Sequence, residues 1–155
     1  MDSLDHRSSR GNDCFFLFGF APIGHSLGAF LGRHVFGVRR HAPKVANPLA
    51  RSPAAVAAGL VLFRTHCVAC HGAPGVDPTE AGASLNPPAP GLTAARVQAR
   101  SDGELKWIVS NGIRMTGMPA FGASRSEGEV WQLVAALRRL PKLSSEERHM
   151  LARER

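Results

Sequence analysis

The chain has 155 residues, 44% of them apolar and only 6% aromatic, with no tyrosine. That length fits one compact domain plus an extension and excludes a two-domain enzyme, and so aliphatic a core gains from a bulky cofactor that fills it. The net charge of +7 is dispersed, seven basic against three acidic residues in 1–52 and twelve against nine in 53–155, which excludes the concentrated basic face with interleaved aromatics of a nucleic-acid binder.

Residues 14–32, from Cys14 to Gly32, form an apolar run broken by His25, Ser26 and glycines, with Arg7 and Arg10 upstream. Such a run reads as an export signal or a membrane anchor, and residues 1–40 are assigned to that segment, with membrane association expected through 14–32. No Ala-x-Ala pattern follows it, and Arg33, Arg39, Arg40 and Lys44 put more positive charge after the run than before it. Positive-inside reasoning alone would then leave the C-terminus cytoplasmic. Cys14 and His25 read as passengers in this segment. Residues 41–52, with Pro43 and Pro48 among small and basic residues and Pro53 following, read as a linker.

Ser52 before Pro53 predicts a helix start, since serine can cap free amides and proline is tolerated at the first helical position. A helix is expected over 54–66, with Val56, Leu60 and Phe63 at helical spacing and Gly59 allowing a neighbouring helix to approach closely. It leads straight into Cys67. From Gly72 to Gly91 the chain carries Pro74, Pro78, Pro87, Pro88 and Pro90, which predicts a long functional loop without regular structure. Ser101 with Glu104 makes a capping-box pattern, opening a helix through Leu105, Trp107, Ile108 and Val109 that stops near Gly112. Residues 113–125 are loop again and bear Met118 and Pro119. Ser126 with Glu129 repeats the capping box, and Val130, Trp131, Val134, Leu137 and Leu140 give an amphipathic helix ended by Pro141. No strand pattern and no internal repeat are present, so the expected class is all-α.

Cys67-Val68-Ala69-Cys70-His71 is C-x-x-C-H, the attachment signature of c-type haem. Two thiols three residues apart on a helical turn can reach two vinyl groups, and the next residue then turns under the iron. His71 would give iron a neutral nitrogen, while thioether links through Cys67 and Cys70 would prevent haem loss. A thioredoxin-like dithiol would need a preceding strand, and a zinc site would need two more ligands, for which Cys14 is in the wrong segment and His66 too local. Downstream, Gly117-Met118-Pro119-Ala120-Phe121-Gly122 places a methionine in a rigid turn. A thioether is a soft ligand that favours ferrous iron, so Met118 is the candidate sixth ligand; Met115 is its close competitor but lacks the adjoining proline.

These residues resemble class I cytochromes c, in particular small bacterial monohaem ones similar to the cytochrome subunits of oxidases and periplasmic dehydrogenases. Three segments carry the likeness: Gly59-x-x-x-Phe63-x-x-x-Cys67-x-x-Cys70-His71-Gly72; Trp107-x-x-x-Asn111-Gly112 with Gly117-Met118-Pro119-Ala120-Phe121; and Glu129-x-Trp131 with Leu137-Arg138-x-Leu140. The resemblance implies a class I cytochrome c fold over residues 53–155, three to five helices around one covalently bound haem c, with the first 52 residues as an N-terminal extension. It implies that the first and last helices cross, Gly59 and Phe63 packing against Trp131 and its neighbours. It further implies a proline carbonyl that accepts the His71 Nδ1 hydrogen, for which Pro90 is the match. Trp107 and Asn111 are candidates to touch the haem or brace the methionine loop, and Arg114 to pair with a propionate.

With His71 and Met118 as metal ligands no iron position is left for substrate, and no convergent nucleophile, base or second metal cluster accompanies them. The expected function is therefore one-electron transfer in a respiratory or dehydrogenase-linked chain, not catalysis. The expected partners are redox proteins, an oxidase, dehydrogenase or reductase subunit, and not nucleic acid. The family implies the periplasmic side of a bacterial inner membrane, the protein being soluble after signal removal or anchored at its N-terminus, and the charge order around 14–32 opposes that placement. A haem sensor in which Met118 is absent from iron, and a non-haem dithiol or metal protein, are the rival readings.

Overall fold

The computed structural model describes residues 38, 40–73 and 78–152, and no strand occurs among them. From Pro53 onward they form α1 (Pro53–His66), α2 (Val68–His71), α3 (Glu80–Ala83), α4 (Ala95–Gln98), α5 (Asp102–Asn111), α6 (Glu127–Arg139), a 3₁₀ turn (Leu140–Lys142) and α7 (Ser145–Ala152). Helices α1, α5, α6 and α7 have eight residues or more and make the expected three-to-five-helix frame, whereas α2, α3 and α4 are single turns of four residues. The apolar run 14–32, with Cys14 and His25, lies outside the described residues. Among the described residues no helix is long and apolar enough to cross a membrane.

Each long helix starts at a serine. The Ser52 hydroxyl accepts from the Ala55 N–H at 3.2 Å. At α5 the Ser101 hydroxyl accepts from the Glu104 N–H at 3.2 Å while the Glu104 carboxylate accepts from the Ser101 N–H at 2.8 Å. Helix α6 repeats that box, with 3.3 Å from the Glu129 N–H to the Ser126 hydroxyl and 2.8 Å from the Ser126 N–H to the Glu129 carboxylate. Helix α7 opens likewise: the Ser144 hydroxyl accepts from Glu147 N–H at 3.2 Å and the Glu147 carboxylate from Ser144 N–H at 2.6 Å. Such caps satisfy backbone amides that have no partner inside the helix.

Helices α1 and α6 cross at the centre of the molecule. A Cβ on Gly59 would lie 2.0 Å from the Gln132 carbonyl oxygen, so only glycine permits this approach. Phe63, 1% exposed, packs there with Leu60, Val109, Leu133, Ala136 and Leu137, and Leu151 of α7 closes the same cluster. Trp131 departs from the expected arrangement, since it belongs to a second cluster with Val97, Leu105 and Val134. The cause is that Val130, Trp131 and Leu133 through Leu137 are all buried. Successive helical residues point about 100° apart, so α6 serves α1 with one face and α4 and α5 with another.

The proline-rich stretch after Gly72 contains the short helix α3, a departure from the expected unbroken loop. Thr79 causes it: its hydroxyl caps Gly82 N–H at 3.1 Å and donates to the Ala69 carbonyl at 2.6 Å, fixing the turn against α2. The segment read as a linker lies along α5 and α6. Asn47, 5% exposed, donates its side-chain amide to the Trp131 carbonyl at 2.9 Å and its N–H to Asp102 at 3.0 Å. A Cβ on Gly103 would meet the Pro43 carbonyl oxygen at 1.7 Å, and the His41 ring stacks 6.4 Å from that of Trp107.

Candidate functional site

Cys67 ends α1, its N–H donating to the Phe63 carbonyl at 2.8 Å, and begins α2, whose His71 N–H donates to the Cys67 carbonyl at 2.9 Å. One tight turn thereby directs Cys67, Cys70 and His71 into a single cavity, walled elsewhere by Phe63, Leu85, Leu92, Val109, Phe121, Leu133 and Leu137. Apolar surroundings act on the Cys67 thiol. Burial pushes the Cys67 thiol up from 9.0 to about 12, with the neighbouring Cys70 adding to the rise. A thiol activated as a redox nucleophile has the opposite property, a depressed pKa, and Cys67 does not have it.

The His71 Nδ1 lies 2.9 Å from the Pro90 carbonyl oxygen. A carbonyl only accepts, which places the proton on Nδ1 and leaves the Nε2 lone pair available for a metal. Nineteen residues separate these partners, so the contact exists only because the proline-rich loop folds back over α2.

Met118 lines the same cavity from the loop after α5. That loop is held at both ends. The Ile113 N–H donates to the Met118 carbonyl at 3.2 Å, and the Thr116 hydroxyl donates to Ile113 at 2.7 Å while accepting from the Met118 N–H at 3.2 Å. Beyond it, Phe121 N–H donates to the Val109 carbonyl at 3.0 Å. Gly112 makes the turn possible: its φ is +64°, and a Cβ there would sit 2.6 Å from the Met118 carbonyl oxygen. Met115, with φ of 62°, is 78% exposed and is not part of the cavity wall.

Among the other residues singled out in the sequence, Trp107, Asn111 and Arg114 do not line the cavity. The Asn111 side chain donates to the Trp107 carbonyl at 2.9 Å and serves the end of α5. In place of Arg114 the wall carries Arg96 and Arg100, one on α4 and one just after it, and also His66, whose ring is 6.0 Å from that of Phe121. Among the described residues no three or more His, Cys, Asp or Glu side chains gather as a metal site.

The donor set therefore suits one kind of group: an imidazole nitrogen, a thioether sulfur and two thiols facing an apolar interior, with two guanidinium groups at its wall. A flat apolar macrocycle with a central metal and peripheral carboxylates matches that set, and haem is such a group. A comparison with curated proteins finds none that matches. The family model described as cytochrome c oxidase, cbb3-type, subunit III matches residues 54–135, just over half of the chain. The chain belongs to that family: it is a class I c-type cytochrome with an all-α fold, and the haem c its family carries is covalently bound.

Proposed function

We propose that this protein is a one-electron carrier in which Cys67 and Cys70 hold the haem by thioether links and His71 and Met118 are the two iron ligands. One observation carries the proposal: His71, with Nδ1 committed to the Pro90 carbonyl, and Met118, with its loop pinned by Thr116, line the same apolar cavity. When bound, the haem supplies a ferric/ferrous couple that passes single electrons. The residues around it do the rest. Pro90 orients the His71 ring and raises its basicity. Gly112 and Thr116 keep the methionine loop in one conformation, so neither ligand needs to move when charge changes. Leu85, Leu92, Val109 and Phe121 keep water from the site, and Arg96 and Arg100 offer charge partners for the haem carboxylates.

Haem-based electron transfer follows from family membership; the respiratory or dehydrogenase-linked setting is our reading. The matched family is described by an oxidase subunit, which supports an oxidase, dehydrogenase or reductase subunit as the redox partner. Residues 14–32 would serve as export signal or anchor, placing residues 53–155 on the periplasmic side of the inner membrane.

The test is the Met118→Ala variant. It is expected to retain covalent haem, to lower the reduction potential by at least the 59 mV that corresponds to a tenfold change in the one-electron equilibrium, and to bind carbon monoxide in the ferrous state. Avid carbon monoxide binding by the unsubstituted protein, or an unchanged potential in the variant, would contradict the ligand assignment.

A further inference from the structure

The structure assigns Gln98 a role in positioning the axial histidine: we infer that its side-chain amide fixes the loop whose Pro90 carbonyl holds the His71 ring. The inference rests on the proposed reading of His71 as an iron ligand and adds a residue that does not itself line the cavity.

Gln98 is the last residue of α4, and its Nε2 donates twice, to the Leu92 carbonyl at 2.8 Å and to the Leu137 carbonyl at 3.1 Å. Both acceptors are carbonyls, so the amide orientation is unambiguous. Leu137 is an acceptor in need. Four residues after it stands Pro141, which has no N–H to complete the helical bond. The Gln98 amide meets that carbonyl and with its other hydrogen ties α6 to the loop.

Only Gly91 separates Leu92 from Pro90, and no atom lies within 4 Å of where a Gly91 side chain would begin. The Gly91 carbonyl accepts from the Ala94 N–H at 3.2 Å, so the short path from Leu92 back to Pro90 is held, and the direction of the Pro90 carbonyl follows from that bond together with what holds Leu92. The Leu92 side chain is packed against both apolar clusters, but packing sets a position better than it sets the rotation of a carbonyl. The Gln98 bond sets that rotation.

Gln98 is itself braced. Arg138 donates to its backbone carbonyl at 2.7 Å and also to the Arg100 carbonyl, while Asp102 holds Arg138 at 2.8 Å. A second oxygen of Asp102 accepts the Asn47 N–H. The brace therefore joins α4, α5 and α6 behind the loop.

The observable is solvent exchange of the His71 Nδ1 proton in the ferrous holoprotein, followed by NMR. Gln98→Met keeps the length of the side chain and removes both donors. It is expected to speed that exchange at least tenfold and to raise the reduction potential, because a looser carbonyl leaves the imidazole a poorer donor to ferric iron. Leu151→Ala, in the core at α7, is the matched control for general loosening. Unchanged exchange in Gln98→Met, or equal acceleration in both variants, would overturn the inference. A measurement on the unsubstituted protein guards against a variant that does not fold: the Gln98 amide protons should be protected together with His71 Nδ1–H, and free exchange of the amide beside a protected histidine would also overturn it. Failure of the ligand reading looks different, since the unsubstituted ferric protein would then show no iron-shifted resonances from the His71 ring.

Discussion

Asn47 and Phe63 test the packing of the fold at the level of single side chains. Phe63→Ala removes a ring that is 1% exposed at the α1–α6 crossing, and a loss of about 3–5 kcal/mol in denaturant unfolding of the holoprotein is expected. Asn47→Leu keeps bulk but removes both the amide that donates to the Trp131 carbonyl and the oxygen that accepts the Leu49 N–H at 2.8 Å, for which about 1–3 kcal/mol is expected in the same measurement. A value near zero would show that residues 40–52 do not bear on the domain. At this scale the sequence was most informative where chemistry is local. Cys67, Cys70 and His71 fall within five residues, and covalent attachment demands that spacing whatever the rest of the chain does. The Pro90 contact was legible only through resemblance, since nothing local ties a carbonyl to a ring nineteen residues away. Arg96 and Arg100 were not legible. Their place at the cavity wall is set by the single turn α4 and by its packing on Trp131 and Val134 through Val97, and no periodic pattern marks four residues.

The helices were legible where a cap met an apolar period. Ser52, Ser101 and Ser126 announce α1, α5 and α6, and each hydroxyl makes the expected bond. Helix α7 was not expected from the sequence: Ser144 and Glu147 form the same box there, but its apolar side is slight, with Leu151 as its one buried residue, so no helical period marks it. Trp131 was harder to place because α6 is buried on nearly every side, and there a 3.6-residue period no longer says which neighbour each residue meets. Helix α7 gives a pH prediction. The bond from Arg139 holds the Glu147 carboxyl below its ordinary value of 4.5, with the Ser144 N–H helping. A lowered folded pKa means the contribution is present above the ordinary value and is lost as pH falls through the folded one. Glu147→Gln is therefore expected to unfold at lower denaturant than the unsubstituted protein at pH 7, and the gap should close as pH drops below the usual carboxylate range. A gap that stays constant with pH would assign the effect to shape and not to charge.

As a whole the molecule is a helical frame built around one apolar cavity, with Cys67, Cys70 and His71 brought to it by α2 and Met118 by the loop after α5. Residues 40–52 belong to that frame through Asn47, Pro43 and His41. A chain that begins at residue 53 is thus expected to be less stable than one that begins at residue 38, by at least the ~1–3 kcal/mol assigned to the Asn47 contact alone. Thermal unfolding of the two holoproteins measures the difference. The central claim is that this frame exists to hold haem covalently through Cys67 and Cys70, and denaturing mass spectrometry tests it most directly. The purified protein should keep the mass of one haem after unfolding, with digestion placing it on the peptide that contains both cysteines, and Cys67→Ser with Cys70→Ser should lose it. A chain that appears at its polypeptide mass alone, from cells competent to attach c-type haem, would contradict the account.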